Sequence, residues 1–436
     1  MSGLGERGGR PGLRKDGTRR GAPAVRPAAI ISPARAAAFA ILEQVENSTA
    51  HSDDLLHGPA MVGLSQADKN LATTLVLGVL RRQIALDARI RPLLQRPESK
   101  LASPVATALR MGAFQLLHLD RIPAHAALSE SVELAREASH AHAAGMVNAV
   151  LRGLTRAAVP RRPLVESTAA MAERLGHPAW LVERWVKHYG HAAAEKIAEY
   201  DLQEPGAGDL FEQETAPRMD DGSRLVAELT AASVEQPKRI WDCCAAPGGK
   251  TMVLAARHPA AKLLATDVSG RRLRAMEARL RREMPAANVR ILETDAVKLA
   301  ESEGEFDLIL CDVPCSGTGT LARNPEIKLR LEPADLAKQA KRQREILAAA
   351  LQRLAPGGRL VYSTCSLEPE ENEAVVASVL EELRGMDRVG VETVLQKLAL
   401  RGEVSGLVHD GYLRTLPGVG FAVDGFFAAM LERSKA

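Results

Sequence analysis

Five short apolar runs, each closed by a residue able to do polar chemistry, dominate the second half of this chain. They read RIWDCCAA, AKLLATD, NVRILETD, FDLILCD and GRLVYSTC, and they close on Cys244, Asp267, Asp295, Asp312 and Cys365. Helical stretches with apolar residues every three or four positions separate them. Strand alternating with helix predicts an α/β fold whose doubly wound, mostly parallel sheet is covered on both faces. In such a sheet the carboxyl ends of the strands line one edge, and ligands bind where the strand order reverses. The five closing residues are expected to converge there.

The first run leads into Ala245-Ala246-Pro247-Gly248-Gly249-Lys250-Thr251. Adjacent glycines let backbone come close to a ligand, and the start of the following helix favours negative charge. Asp267 lies 267 − 249 = 18 residues beyond Gly249, near the offset of about 20 at which an acid meets a ribose hydroxyl pair. A nucleoside-containing cofactor is expected. Gly249-Lys250-Thr251 also matches the end of a phosphate-binding loop, but that motif requires glycine where this chain has Cys244. A dinucleotide dehydrogenase fits poorly as well, because the third glycine of its fingerprint is missing.

The cysteines narrow the reaction. There are five, at Cys243, Cys244, Cys311, Cys315 and Cys365, an odd set that argues against a secreted disulfide scaffold. Cys243 and Cys311 fall inside strand-like runs and read as small core residues. No pair has zinc-ligand spacing, so no metal is expected. Cys315 in Asp312-Val313-Pro314-Cys315 and Cys365 in Ser363-Thr364-Cys365-Ser366 lie just beyond two strands, at the crevice. A thiolate beside a nucleoside cofactor suits methylation of a pyrimidine: carbon 5 of cytosine is a poor nucleophile, but sulfur adding to carbon 6 makes the ring an enamine. S-adenosylmethionine would supply the methyl group. A free thiol with a pKa of about 8.5 is little ionised at neutral pH, so the site must assist. Asp312 is placed to bridge ring nitrogen 3 and the exocyclic amine, and the loss of the carbon 5 proton calls for a second group, hence two thiols.

The first half has another texture. Residues 1–30 carry seven basic and two acidic side chains among Gly and Pro, which predicts a disordered basic arm. From 31 to 157 the spacing is helical, as in Leu71, Leu75 and Val79, and predicts an all-α bundle. Residues 158–235 read as a linker with lead-in helices, and 236–436 as the α/β domain. With 57 basic and 54 acidic residues, net +3, any nucleic-acid binding must come from local patches. No apolar run reaches the roughly 18 residues of a membrane span, and a cytoplasmic monomer is expected.

Several segments resemble known families. Leu77-Gly78-Val79-Leu80-Arg81, the stretch Leu109 to Leu117, and Val147-Asn148-Ala149-Val150-Leu151-Arg152 resemble the NusB-like RNA-binding domain fused to certain rRNA methyltransferases. WDCCAAPGGKT, CDVPCSGTGTLARNPEIK, LVYSTCSLEPEENE and VDGFFAAMLER resemble the Sun (RsmB) family of RNA 5-methylcytosine methyltransferases. The resemblance implies a seven-stranded, Rossmann-like methyltransferase sheet and a substrate in small-subunit ribosomal RNA. It implies that Cys365 is the nucleophile and that Cys315 assists release. Cys244, Ala245, Ala246, Pro247, Gly248, Gly249, Lys250, Asp267, Asp295 and Asp312 are its implied cofactor contacts. Two departures stand out: a subdomain usual before Asp220 is missing here, and Gly418 follows Pro417 where the family tends to have His. An RNA-binding ribosome-assembly factor with little turnover is the alternative reading.

Overall fold

The computed structural model describes residues 1–3, 30–158, 162, 165–206, 208, 210–212 and 219–435. The basic arm therefore lies almost wholly outside the described residues.

Helices Pro33–Asn47, Gln66–Ile90, Ser103–His118, Ala124–Ala135 and Ala144–Arg156 form the bundle expected from the spacing. Their apolar stripes close on one core that includes Ile41, Leu75, Val79, Leu109, Met111 and Leu151. Gly78 is required there, since a Cβ would stand 2.0 Å from the Phe114 ring. Helices Thr168–Arg174, Ala179–Tyr189 and His191–Tyr200 follow. Their buried Trp185, Leu181 and Ile197 share a core with Leu321 and Leu367, two residues from the segments that follow the Cys315 and Cys365 motifs.

The remainder is built on strands β1 (Arg239–Asp242), β2 (Lys262–Asp267), β3 (Val289–Glu293), β4 (Phe306–Asp312), β5 (Leu354–Thr364), β6 (Met386–Val389), β7 (Val408–His409), β8 (Tyr412–Thr415) and β9 (Phe426–Arg433). The parallel part runs in the order β3-β2-β1-β4-β5. Antiparallel β9 follows, with β6 and β8 sharing its far side and β7 on β8. Among the described residues the sheet thus has nine strands where seven were expected. The difference is the short β7–β8 hairpin, whose two- and four-residue strands carry too little periodicity to be read from sequence.

Successive side chains along a strand point to opposite faces, and here both faces are buried. Ile240, Leu308 and Leu310 enter one core, while Trp241, Ile309 and Cys311 enter the other. Helix layers on both sides explain why these strands read as unbroken apolar runs. Strand order reverses between β1 and β4, so their carboxyl ends open the crevice.

Segment 320–330 ties the helical bundle to this crevice. Arg81 donates to the Ala322 carbonyl at 2.8 Å, Lys328 donates to the Arg81 carbonyl at 2.8 Å, and Arg330 reaches the Val45 and Ala50 carbonyls. The buried Glu326 carboxylate accepts from Ser52 N–H at 3.1 Å and from its hydroxyl at 2.8 Å. Among the described residues, no helix is long and apolar enough to cross a membrane.

Candidate active site

The glycine turn after β1 is tightly built. Gly248 has φ +96°, a conformation glycine adopts freely, and a Cβ there would meet Met276 at 2.5 Å. Helix Gly249–Arg257 starts at once, aiming free N–H groups at the crevice. Ala245 and Ala246 are buried, Cys244 is partly exposed and Pro247 is exposed. Burial holds the Cys243 and Cys244 thiols neutral by pushing both well above the ordinary cysteine range. Cys243 sits one residue past β1 and not within it, still bonded to the ladder through its N–H and the Leu310 carbonyl.

Asp267 closes β2 with its carboxylate held by two backbone N–H groups, Ala246 at 3.2 Å and Ser269 at 2.9 Å. One bond falls on each oxygen, so each keeps a lone pair for a further hydroxyl. Asp295 lies two residues beyond β3, takes the Val297 N–H at 3.1 Å and pairs with Arg342 at 2.6 Å. Burial would raise its carboxyl, but the Arg342 hydrogen bond, the Val297 N–H and the Arg342 and Lys298 charges together lower it.

Asp312 closes β4. Its Oδ1 accepts from the Ser363 hydroxyl at 2.7 Å, and its Oδ2 lies 2.7 Å from Lys250 Nζ. The Lys250 ammonium therefore turns to Asp312. Beneath them Asp242, 1% exposed, accepts from the Thr251 hydroxyl at 2.6 Å. Burial pushes its carboxyl up to about 7; the Asp312 charge adds to this, while the Thr251 bond and the Lys250 charge oppose it.

The two thiols meet. Cys315 Sγ and Cys365 Sγ are 3.4 Å apart, fifty residues apart in the chain. Three connections align their loops: Val313 N–H to the Ser363 carbonyl at 3.0 Å, Gly319 N–H to the Cys365 carbonyl at 2.9 Å, and Leu367 N–H to the Thr318 hydroxyl at 2.9 Å. The hydrogen bond to Cys365, then burial, then nearby negative charge that includes Glu371 hold the Cys315 thiol well above its ordinary range.

Comparison with known proteins shows the family to which the chain belongs. Ribosomal RNA small subunit methyltransferase B of Vibrio cholerae is 32% identical over 92% of this chain and 97% of its own length. The protein of that name from Citrobacter koseri is 33% identical over 83% of this chain and 92% of its own. The chain belongs to this methyltransferase B family. Within it, the family model for 16S rRNA methyltransferase RsmB/F matches residues 229–432, and the NusB family model matches 32–156. The crystal structure of PH0851 superposes with a TM-score of 0.69 over 93% of this chain and all of its own, at 21% identity, and so shares the fold. S-adenosylmethionine is the cofactor of this methyltransferase family, and the residues present suit it: a glycine turn at a helix start, and an Asp267 carboxylate with lone pairs to spare.

Sequence reasoning passed over Asp242, Thr251, Gln343, Ser316, Ser366 and Glu371. Thr251 and Asp242 stand nine residues apart, but only the turn between them brings them together. Glu371 was in view within the motif LEPEENE, yet nothing in its spacing distinguishes it from three neighbouring glutamates.

Proposed function

We propose that this protein transfers a methyl group to carbon 5 of a cytosine in small-subunit ribosomal RNA through a covalent Cys365–cytosine adduct. The observation that carries this reading is the 3.4 Å approach of two thiols beside the Lys250–Asp312 pair.

Cys365 sulfur attacks carbon 6, and the electron pair of the carbon 5–carbon 6 bond becomes available at carbon 5. S-adenosylmethionine, when bound, supplies an electrophilic methyl group for that carbon. Asp267, Asp295 and the turn from Cys244 to Gly249 hold this cofactor. As sulfur adds, ring nitrogen 3 gains negative charge; the Asp312–Lys250 pair supplies both an acceptor for the exocyclic amine and a donor for that nitrogen. Cys315, its own proton released to solvent, then removes the carbon 5 proton as a thiolate, the released electrons restore the ring double bond, and the Cys365 thiolate leaves.

The timing follows from the same contact. The free enzyme keeps Cys315 protonated chiefly through its hydrogen-bond contact with Cys365, with burial next. Once Cys365 is bonded to carbon, the contact that held the Cys315 proton is lost, and Cys315 ionises more easily when a base is wanted.

The test uses the full chain, labelled methyl donor and protein-free 16S rRNA. Wild type should incorporate label at cytosine. Cys365→Ala should neither methylate nor form an adduct, and Cys315→Ser should accumulate a protein–RNA species that survives denaturing electrophoresis. Accumulation in Cys365→Ser alone would reverse the two roles. A folded wild type that binds rRNA and incorporates nothing would instead indicate an assembly factor.

A further inference from the structure

Glu371 is 0% exposed, and its carboxylate meets four donors. Oε1 accepts from the Ser316 N–H at 2.9 Å and from Gln343 Nε2 at 2.9 Å. Oε2 accepts from the Ser366 hydroxyl at 2.5 Å and from the Ser316 hydroxyl. Ser316 follows Cys315 and Ser366 follows Cys365, so one carboxylate grips the residue after each thiol. Gln343 also donates to the Pro314 carbonyl at 2.9 Å, which secures Cys315 from its other side. The next residue completes the frame around Cys365: Asn372 accepts from the Thr364 hydroxyl at 2.5 Å and donates to the Ser366 carbonyl at 2.9 Å.

A buried carboxylate is costly unless its lone pairs are filled, and here all four donors come from the elements that carry the two cysteines or brace them. An apolar side chain in this place would fill space without fixing any loop. Two directional bonds per oxygen, by contrast, fix the spacing of Ser316 and Ser366, whose own hydroxyls are 3.0 Å apart. We propose that Glu371 is the positioning residue that sets the separation of Cys315 and Cys365, so that one sulfur can hold carbon 6 of the base while the other stays within reach of the proton on carbon 5. The assignment of chemical roles rests on the methyltransferase reading; the spacing of the thiols does not.

Two measurements on the full chain separate these. In the first, with no RNA or methyl donor, the thiol oxidant diamide closes the Cys315–Cys365 disulfide and peptide mapping follows it. Glu371→Gln offers an amide N–H₂ to donors that need acceptors, so closure should slow at least tenfold, with Glu371→Asp in between. In the second, kcat for methylation should fall by about 100-fold, the penalty expected when reacting groups are misplaced by about 1 Å, with KM for RNA and donor changed less than about twofold. Should Glu371→Gln fail to fold, Ser366→Ala removes one of the four donors and should slow closure about threefold. Closure at the wild-type rate in a folded Glu371→Gln or Ser366→Ala protein would overturn the positioning role, whatever the activity. Slowed closure in these variants, together with a wild type that never methylates RNA, would leave the clamp standing and remove the functional reading.

Discussion

Lys250 Nζ lies 2.7 Å from Asp312 Oδ2, joining the turn after β1 to the tip of β4 across the crevice. Burial would push the Lys250 amine down, but the Asp312 charge and hydrogen bond outweigh it and hold it above the ordinary lysine value. The Lys250 ammonium is therefore charged throughout the neutral range. Lys250→Met would leave Asp312 without its cation, a loss worth about 1–3 kcal/mol for a largely buried charged bond. Methyl transfer should fall tenfold or more, while calorimetric affinity for S-adenosylmethionine stays near wild type. Affinity falling in step with rate would place Lys250 with the cofactor, as the sequence resemblance implies.

Asp267→Ala should weaken S-adenosylmethionine binding, because a carboxylate bridging two ribose hydroxyls contributes on the order of 1.5–3 kcal/mol. The dissociation constant should rise roughly tenfold or more. Unchanged affinity in a folded variant would remove Asp267 from the cofactor site.

Asp242 carries a pH signature. Its folded carboxyl is pushed up to about 7 by burial, against 3.8 in an unconstrained chain. Between those values the folded state holds a proton that the unfolded state has released, so this group makes stability fall as pH rises from about 4 to about 7. Asp242→Asn keeps an acceptor for Thr251 and lacks the titration. Its advantage over wild type should grow across that window and level off above it. Urea midpoints at pH 5, 6, 7 and 8 would show this; parallel profiles would mean that Asp242 stays ionised.

The N-terminal segment should contribute to RNA affinity. Residues 1–30 carry net +5, and each neutralised phosphate adds about 0.7–0.9 to the slope of log affinity against log salt. A chain starting near Ala28 should show a slope flatter by up to roughly four units, with single-turnover methylation little changed. An identical slope would leave RNA binding to the rest of the chain.

Much of the architecture is legible in the sequence because it is written in local periodicity. Runs such as FDLILCD and LVYST announce strands buried on two faces, and helical spacing from Leu71 to Val79 announces the bundle. The closing positions of those runs place Asp267, Asp312 and Cys365 on one edge, since strand ends are set by the run itself. What the sequence by itself determined is thus the order of the elements and the edge on which the chemistry sits. Partnership was decided only by tertiary structure. Lys250 follows the glycine turn in sequence yet pairs with Asp312, sixty-two positions on. Asp295 is tied to Arg342, and Glu371 reaches back to Ser316 as well as to nearby Ser366. The physical reason is that periodicity records which face of an element is apolar, whereas a hydrogen bond or ion pair depends on a few ångströms and a direction between elements. Those distances exist only once β1, β4 and β5 lie side by side.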